Sequence, residues 1–365
     1  MRQAERSGAK RVVYYRVEDP NYPRNREIRR RLAIDGGFDV RVVRRARTGN
    51  KIVRLARDLR HLWLASRGAS AIVLAEMNWS HAPLVWIVAR LRRTSVVIDQ
   101  FVGLYETAVE DWASARPGSF RARLYRAQDL LATRSADLLL IDTHFRARQL
   151  SEEYRPSAAV VSVPVGAPAW AVPTPRPRRN TALKVLYYGN YIPLHGIELV
   201  LDAIASLPST VEIELILIGG GSRRRVVEER ALELGLGDSC HFLDAVAESE
   251  LAVHIARSDV VLGVFGPSRK ARSVIANKVW QGLACGRTVL TQESESLGEI
   301  AALVPGLLRT TAPGSVAGIA EELRALSEEA LVEDLEVDHK LNAYVASQFT
   351  GVIAAVEAVV RKGNG

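Results

Sequence analysis

The feature that most constrains this chain is an alternation, made twice, of short apolar runs with longer amphipathic stretches. RVVYYRV (11–17), FDVRVV (38–43), AIVLAE (71–76), SVVIDQ (95–100) and DLLLIDT (137–143) are rich in β-branched and aliphatic residues and read as buried strands. Between them, NREIRRRLAIDG (25–36), KIVRLARDLRHLWLASRG (51–68), residues 82–93 and RARLYRAQDLLATRSA (121–136) read as helices. Gly36 and Gly68 stand where two of those helices stop. The pattern starts again with the strands LKVLYYG (183–189), VEIELILIGGG (211–221), CHFLD, DVVLGVFG and RTVLTQE. GIELVLDAIASLP (196–208), RRRVVEERALELG (223–235), ELAVHIARS and IANKVWQGLACG are the helices of this second series. Strands that are apolar throughout, each followed by a helix, predict parallel sheets covered on both faces.

The proline-rich stretch SVPVGAPAWAVPTPRPRRN (162–180) has no periodicity and separates the two series. The reading is therefore α/β, with a first Rossmann-like domain over 1–165, a link over 166–182 and a second such domain over 183–340. A closing helix and tail follow over 341–365, with Val345, Phe349, Ile353 and Val356 as the helix's apolar stripe. A chain of 365 residues suits two domains.

Composition removes several classes. With 48% hydrophobic and 25% charged residues the chain is neither disordered nor fibrous. Cys240 and Cys285 form no disulfide framework and show no metal-ligand spacing, which suits a reducing compartment. The run VVYY near the start is too short for an export signal. Ala82–Ala89, taken as the longest uncharged apolar stretch, falls short of the ~20 residues a spanning helix needs, so a cytoplasmic protein is expected.

Charge is uneven. Residues 1–180 hold 33 basic and 17 acidic residues, net +16, and residues 181–365 hold 16 and 24, net −8. A basic half implies an anionic partner: a membrane surface, a phosphorylated substrate or nucleic acid. Lys51, Arg54, Arg57 and Arg60, with Arg44, Arg45, Arg47, Arg121, Arg123 and Arg126, are the candidate surface. The stripe Ile52, Leu55, Leu59 and Leu62 is expected to pack on the sheet, so attachment to an anionic leaflet would rest on charge rather than on insertion.

Two glycine-rich turns carry the chemical signal. YYGNYIPLHGIELV runs from a strand through Gly189 and Gly196 into a helix, and LILIGGGSRRR through Gly219, Gly220 and Gly221 into another. Glycine lets backbone approach an oxyanion closely, and a helix N-terminus adds partial positive charge. Neither turn fits a P-loop or a dinucleotide fingerprint. Farther along, a strand ends at Gly266, a loop carries Arg269, Lys270 and Arg272, and a helix brings Asn277, Lys278 and Gln281. Cations so concentrated in an acidic half predict a diphosphate clamp. Asp99, at the end of SVVIDQ, is the candidate catalytic group facing the donor, with His81 and His144 as second choices.

The blocks YYGNYIPLHGIELVLDAI, LILIGGG and DVVLGVFGPSRKARSVIANKVWQGLACGRTVLT, with Glu299 beyond them, resemble retaining GT-B glycosyltransferases of the large family 4 group. PRNREIRRRLAIDGGFDVRVV and VVIDQFVGLYETAVED resemble that family's first helix with its second strand and its donor-facing loop. The resemblance implies two Rossmann-like domains facing across a cleft, with the last helix crossing back to the first domain. It implies a nucleotide-sugar as donor substrate, with no cofactor, and an acceptor glycan that is lipid-linked or part of a cell envelope. It also implies peripheral attachment to the inner membrane face and no nucleic-acid partner. The donor site it implies comprises Gly189, Asn190, His195, Gly196, Gly219, Gly221, Arg269, Lys270, Asn277, Lys278, Gln281 and Glu299. Many members carry two glutamates where this chain has Ser273 and Gln281, and Arg and Lys where it has Asn190 and His195. Without an Asp-x-Asp motif, transfer is expected to need no metal ion. Two other readings keep to the sequence: a nucleotide-sugar 2-epimerase on the same fold, which would need an acid/base constellation at the sugar, and a basic nucleic-acid binder, which would need a recognition motif.

Overall fold

The computed structural model describes residues 9–112, 114–176 and 182–363. The chain divides into two compact units. The first comprises the residues up to Val165, except those around Glu110–Trp112, together with Val345 onward. The second comprises Gly166–Tyr344 and Glu110–Trp112.

In the first unit, β1 (Arg11–Val17), α1 (Pro23–Ile34), β2 (Asp39–Arg44), α2 (Lys51–Ala65), β3 (Ala71–Leu74), α3 (Ala82–Arg92), β4 (Ser95–Asp99), α4 (Phe120–Arg134), β5 (Leu138–Ile141), α5 (His144–Tyr154) and β6 (Ala159–Ser162) follow in turn. All six strands are parallel, in the order β2-β1-β3-β4-β5-β6. β3, β4 and β5 are buried at every position, because helices cover both faces. The second unit repeats the plan with β7 (Leu183–Tyr188), α6 (Ile197–Ala205), β8 (Ile213–Ile218), α7 (Arg224–Glu233), β9 (Cys240–Leu243), α8 (Glu248–Arg257), β10 (Val260–Leu262), α9 (Asn277–Ala284), β11 (Thr288–Gln292), β12 (Leu308–Thr311) and α10 (Val316–Glu328). Its parallel order is β9-β8-β7-β10-β11-β12. In each sheet the order reverses beside the first strand, and the crevice at the strands' carboxyl ends there is where open α/β sheets bind ligands.

Of the link read over 166–182, residues 177–181 lie outside the described residues, and 166–176 is tied to the second unit. Arg287, fully buried, donates to Thr174 O (2.8 Å), Thr174 Oγ1 (2.7 Å) and Ala256 O (2.7 Å), and Arg176 donates to Asp259 O (2.8 Å). Arg287 thus holds the link by a carbonyl and a hydroxyl of Thr174, and Arg176 reaches from the link to a backbone carbonyl of the second unit.

Two expectations are corrected. The stripe predicted to pack α2 on the sheet is turned outward: Ile52 is 78% exposed and Leu55 50%, and only Leu62 of that set is buried, beside Asp58 and Ala65. Asp58 takes the inward position because it accepts from Arg16 Nε (3.0 Å) and Ala46 N (2.9 Å). The second correction concerns α11 (Val337–Gly363), which over Val337–Lys362 is long and apolar enough to cross a membrane by length and composition. Its uncharged stretch 341–356 exceeds Ala82–Ala89 but is broken up by Asn342, Gln348 and Thr350. Leu341, Val345, Phe349, Val352, Val356 and Val360 are buried at spacings of three and four, the stripe of a core helix. Ile353, expected in the stripe, is half-buried beside it. Within the first unit, Ser95 Oγ donates to Val359 O of this helix (2.7 Å).

Candidate functional site

Three loops of the second unit meet at the carboxyl ends of β7, β8 and β10. The register that pairs Tyr188 with Ile218 sets Gly189 against Gly219. Gly189 N donates to Ile218 O (3.0 Å), and Tyr191 N donates to Gly220 O (2.8 Å). Phe265 N donates to His195 O (3.0 Å) and Gly266 N to Leu194 O (3.1 Å), which binds the third loop to the first. Gly219, at φ +127°, has no room for a side chain: a Cβ would lie 2.2 Å from Gly189 O. Gly196 and Gly221 are closed off in the same way by the backbone of Phe265 and of Tyr191. These three glycines hold loop against loop.

Gly189 differs, because a Cβ there would meet side chains, with Lys278 Nζ at 3.5 Å and His195 Cε1 at 3.6 Å. Lys278, at the start of α9, is buried, and its ammonium has no hydrogen-bond acceptor among the described residues. Nζ lies 4.2 Å above the Tyr187 ring, whose electron-rich face attracts a cation. Burial holds the lysine pKa well below its ordinary value. An unpaired buried cation is costly, and an arriving anion relieves that cost.

His195 closes the notch. Its Nδ1 is within hydrogen-bond distance of Asn190 O and of Tyr187 Oη (2.7 Å), and Tyr187 Oη donates to Asn190 O (2.8 Å). A carbonyl only accepts, so Nδ1 carries the proton, and in the neutral ring Nε2 keeps a lone pair. Burial and the neighbouring charge of Lys278 drive the His195 pKa well below its usual range. The imidazole therefore donates toward a phosphate only if the anion itself brings a proton onto the ring. Asn190 serves through its carbonyl, with its side chain in solvent.

The remaining expected clamp residues are spread out. Lys270 is within 3.6 Å of the buried Asp111 carboxylate. Arg269 stands on an exposed turn. Ser273 Oγ donates to Lys270 O (3.1 Å), and Ser273 O accepts from Ser296 Oγ (2.6 Å), so this buried serine braces the loop. Gln281 lies three residues after Lys278 on α9 and shares its face, with Asn277 at the helix's first position. Glu299 accepts from Tyr344 Oη (3.0 Å), and the Tyr344 ring stacks on Trp280 at 6.4 Å. The arginines of the SRRR run pair locally, Arg223 with Glu198 and Arg224 with Glu228 (2.8 Å).

Residues 172–344 match the family described as glycosyl transferases group 1. The chain carries a group 1 glycosyltransferase domain. Its twin parallel sheets are those of the GT-B glycosyltransferases. HepE of Anabaena, solved with UDP and glucose, is 15% identical, with 97% of this chain and 98% of that one covered at a TM-score of 0.63. Sucrose-phosphate synthase of Thermosynechococcus elongatus is 16% identical over 97% of each chain, at 0.67. The lipopolysaccharide outer core galactosyltransferase WaaB is 12% identical over 96% and 99%, at 0.66. At such identities the likeness concerns the fold. No curated protein matches the sequence.

In the first unit, Asp99 is not presented to a ligand. It is 1% exposed, and Arg24 donates to both its oxygens, Nη2 to Oδ1 at 2.8 Å and Nε to Oδ2 at 2.9 Å. His81 lies buried against Tyr15 with its pKa lowered to about 4 by burial and then by Arg16, and His144 Nε2 is 2.7 Å from Gln348 Oε1. A group the sequence reading passed over stands near Asp99. Glu76 Oε1 accepts from Asn25 Nδ2 (3.0 Å), and Asn25 Oδ1 accepts from Tyr14 Oη (3.1 Å). Glu76 Oε2 is buried without a partner among the described residues, and burial and then Asp99 raise the Glu76 pKa to about 7. Its only sequence signal was its place just past a strand's carboxyl end.

Proposed function

We propose that this glycosyltransferase moves a sugar from a nucleotide-sugar to an acceptor hydroxyl with retention and without a metal ion. The observation that carries the reading is Lys278, an ammonium buried beside Gly189 without an acceptor among the described residues. A departing nucleoside diphosphate is the anion this notch suits. As the bond from the sugar's anomeric carbon to the phosphate oxygen breaks, its electron pair stays on the diphosphate. Lys278 offsets that charge where water is excluded. The acceptor oxygen bonds to the anomeric carbon from the same face, and its proton passes to the departing phosphate oxygen. Gln281 is the candidate for a ribose hydroxyl through its amide. Because HepE is solved with UDP, UDP-sugars are the first donors to try.

The acceptor side of the proposal is a lipid-linked or cell-envelope glycan met at the anionic cytoplasmic membrane face. The net +16 over residues 1–180 supports it, as do the lipopolysaccharide roles named for WaaB and WaaG among the similar structures. The test is release of nucleoside diphosphate from UDP-, GDP-, ADP- and dTDP-sugars, with and without lipid-linked acceptors, in the presence of EDTA. Acceptor-dependent release with a retained anomeric centre is expected. Loss of turnover on chelation would overturn the metal-free step, and interconversion of the donor sugar without acceptor would turn the reading into an epimerase.

A further inference from the structure

The outward stripe of α2 continues onto α3. Ile52, Leu55, Leu59 and Trp63 recur at spacings of three and four along one exposed face of α2. The Arg92 guanidinium of α3 stacks 3.6 Å over the Trp63 ring and donates to Trp63 O (3.1 Å), joining the two helices. Beyond that joint α3 exposes Trp86, Ile87 and, 67% exposed, Leu91. Arg90 lies 5.6 Å over the Trp86 ring. Arg60 lies beside the stripe on α2 and the exposed Arg67 stands just past the helix's end, while Asp58, the acidic residue of α2, is buried, and α3 has none.

The last turn of α3 also borders a cavity of about 460 Å³ lined by Arg90, Arg93 and Lys362 with Ser157, Thr94 and Asp137. Asp137 is paired with Arg90 (2.9 Å), which leaves the lining net positive. The surface thus combines apolar side chains to bury, indoles capped by guanidinium groups, and a cationic hollow beside them.

We infer that this α2–α3 face docks in the plane of an anionic bilayer, with the apolar stripe in the acyl boundary and a phosphate headgroup at the cavity. The inference rests on the membrane-acceptor reading above and deepens it, since sequence alone led to attraction by charge without insertion. Charge selects the occupant. A second copy of the chain would set arginine against arginine, whereas anionic headgroups complement Arg60, Arg67 and Arg90. Tryptophan and arginine at the edge of an apolar stripe are the composition of interfacial helices.

The test is flotation of the full chain with phosphatidylcholine vesicles, with or without about a third phosphatidylglycerol. Expected is binding to the anionic vesicles that persists through salt concentrations at which simple charge attraction is screened. Changing Arg60 and Arg67 to Gln should weaken it about twentyfold, roughly fivefold per charge. L55S/L59S, altering exposed positions only, should still bind at low salt but be released by salt. Absence of binding to anionic vesicles at low salt overturns the inference. So does L55S/L59S binding that matches wild type at high salt, or equal binding to neutral vesicles. Capture by an acidic protein without vesicle binding would assign the face to a protein partner instead. Nucleotide affinity, measured in parallel, is expected unchanged in all variants; lost nucleotide binding in the wild type would strike the donor reading and leave the vesicle result to stand by itself.

Discussion

Arg24 and Asp99 form a closed, solvent-free ion pair. The guanidinium reaches both carboxylate oxygens, donates to Val163 O (2.7 Å) and lies 4.6 Å from the centre of the Phe101 ring. The pair ties α1 to the end of β4 and to the segment after β6. Asp99 is thereby a structural counter-ion. Asp99→Ala should destabilise the chain by about 3–5 kcal/mol, because an uncompensated buried guanidinium remains. Denaturant unfolding checks this. The double change R24M/D99A should recover part of the loss. A stable Asp99→Ala protein with abolished turnover would return Asp99 to the reaction.

Lys278 gives the opposite signature. Lys278→Met should weaken binding of a nucleoside diphosphate by about 1.5–3 kcal/mol, the worth of a charge-assisted hydrogen bond. It should raise the melting temperature of the ligand-free protein, since an unpaired buried cation is removed. The sign with pH follows from a folded pKa below the ordinary lysine value: ligand-free wild type gains stability as pH rises through that lowered pKa toward the usual lysine range. Thermal unfolding with and without diphosphate reads both effects. Weaker binding with lower ligand-free stability would place the lysine among ordinary core supports.

His195 makes donor binding depend on pH. Its free ring is held neutral by burial and by Lys278. A diphosphate between the two groups reverses that field and raises the pKa, so binding takes up protons and strengthens as pH falls. Calorimetry in buffers of different ionisation enthalpy should show uptake in wild type and less in His195→Ala, where only Lys278 can still take up a proton. Identical uptake in both proteins would move the proton elsewhere.

Glu76 sets a stability trend in the first unit. Its folded pKa near 7 lies above the 4.5 of a free glutamate, through burial first and Asp99 second. The native state therefore keeps a proton that the unfolded chain releases, and stability is lost as pH rises from about 4.5 through 7. Glu76→Gln keeps the oxygen that Asn25 donates to and removes the charge. It should gain on the order of 1–3 kcal/mol over wild type at pH 8 and little at pH 4, read by unfolding at both.

The sequence made the alternation and the glycine turns readable because both are local. Interior strands such as AIVL and LLLI are apolar throughout, and Gly189 and Gly219 follow theirs directly. The edge strands β6 (AVVS) and β12 (LRTT), with the helices before β6 and after β12, escaped notice. An edge strand is short and half-exposed, so its apolar signal is diluted. Periodicity located the α2 stripe but not its direction: Asp58, three residues from Leu55 and one from Leu59, turns inward because Arg16, forty-two positions earlier, waits there. The partnership of Asp99 with Arg24, seventy-five positions apart, was equally beyond any local pattern.

Gln281 tests how the site works without the two glutamates that the family resemblance leads one to expect at Ser273 and Gln281. Ser273, at the first of those positions, is buried and spent on Lys270 O and Ser296, so no group there reaches a ligand. Gln281, at the second, shares a face of α9 with Lys278 and is 9% exposed. An amide can bond a ribose hydroxyl but adds no charge, and a ribose contact is the same in ground and transition states. Gln281→Ala should therefore raise the donor KM about five- to tenfold, the worth of one neutral hydrogen bond, with kcat nearly unchanged. Gln281→Glu should preserve the contact and bring KM back toward the wild-type value. A fall in kcat at constant KM in the alanine variant would mean that the residue acts on the departing diphosphate instead, together with Lys278.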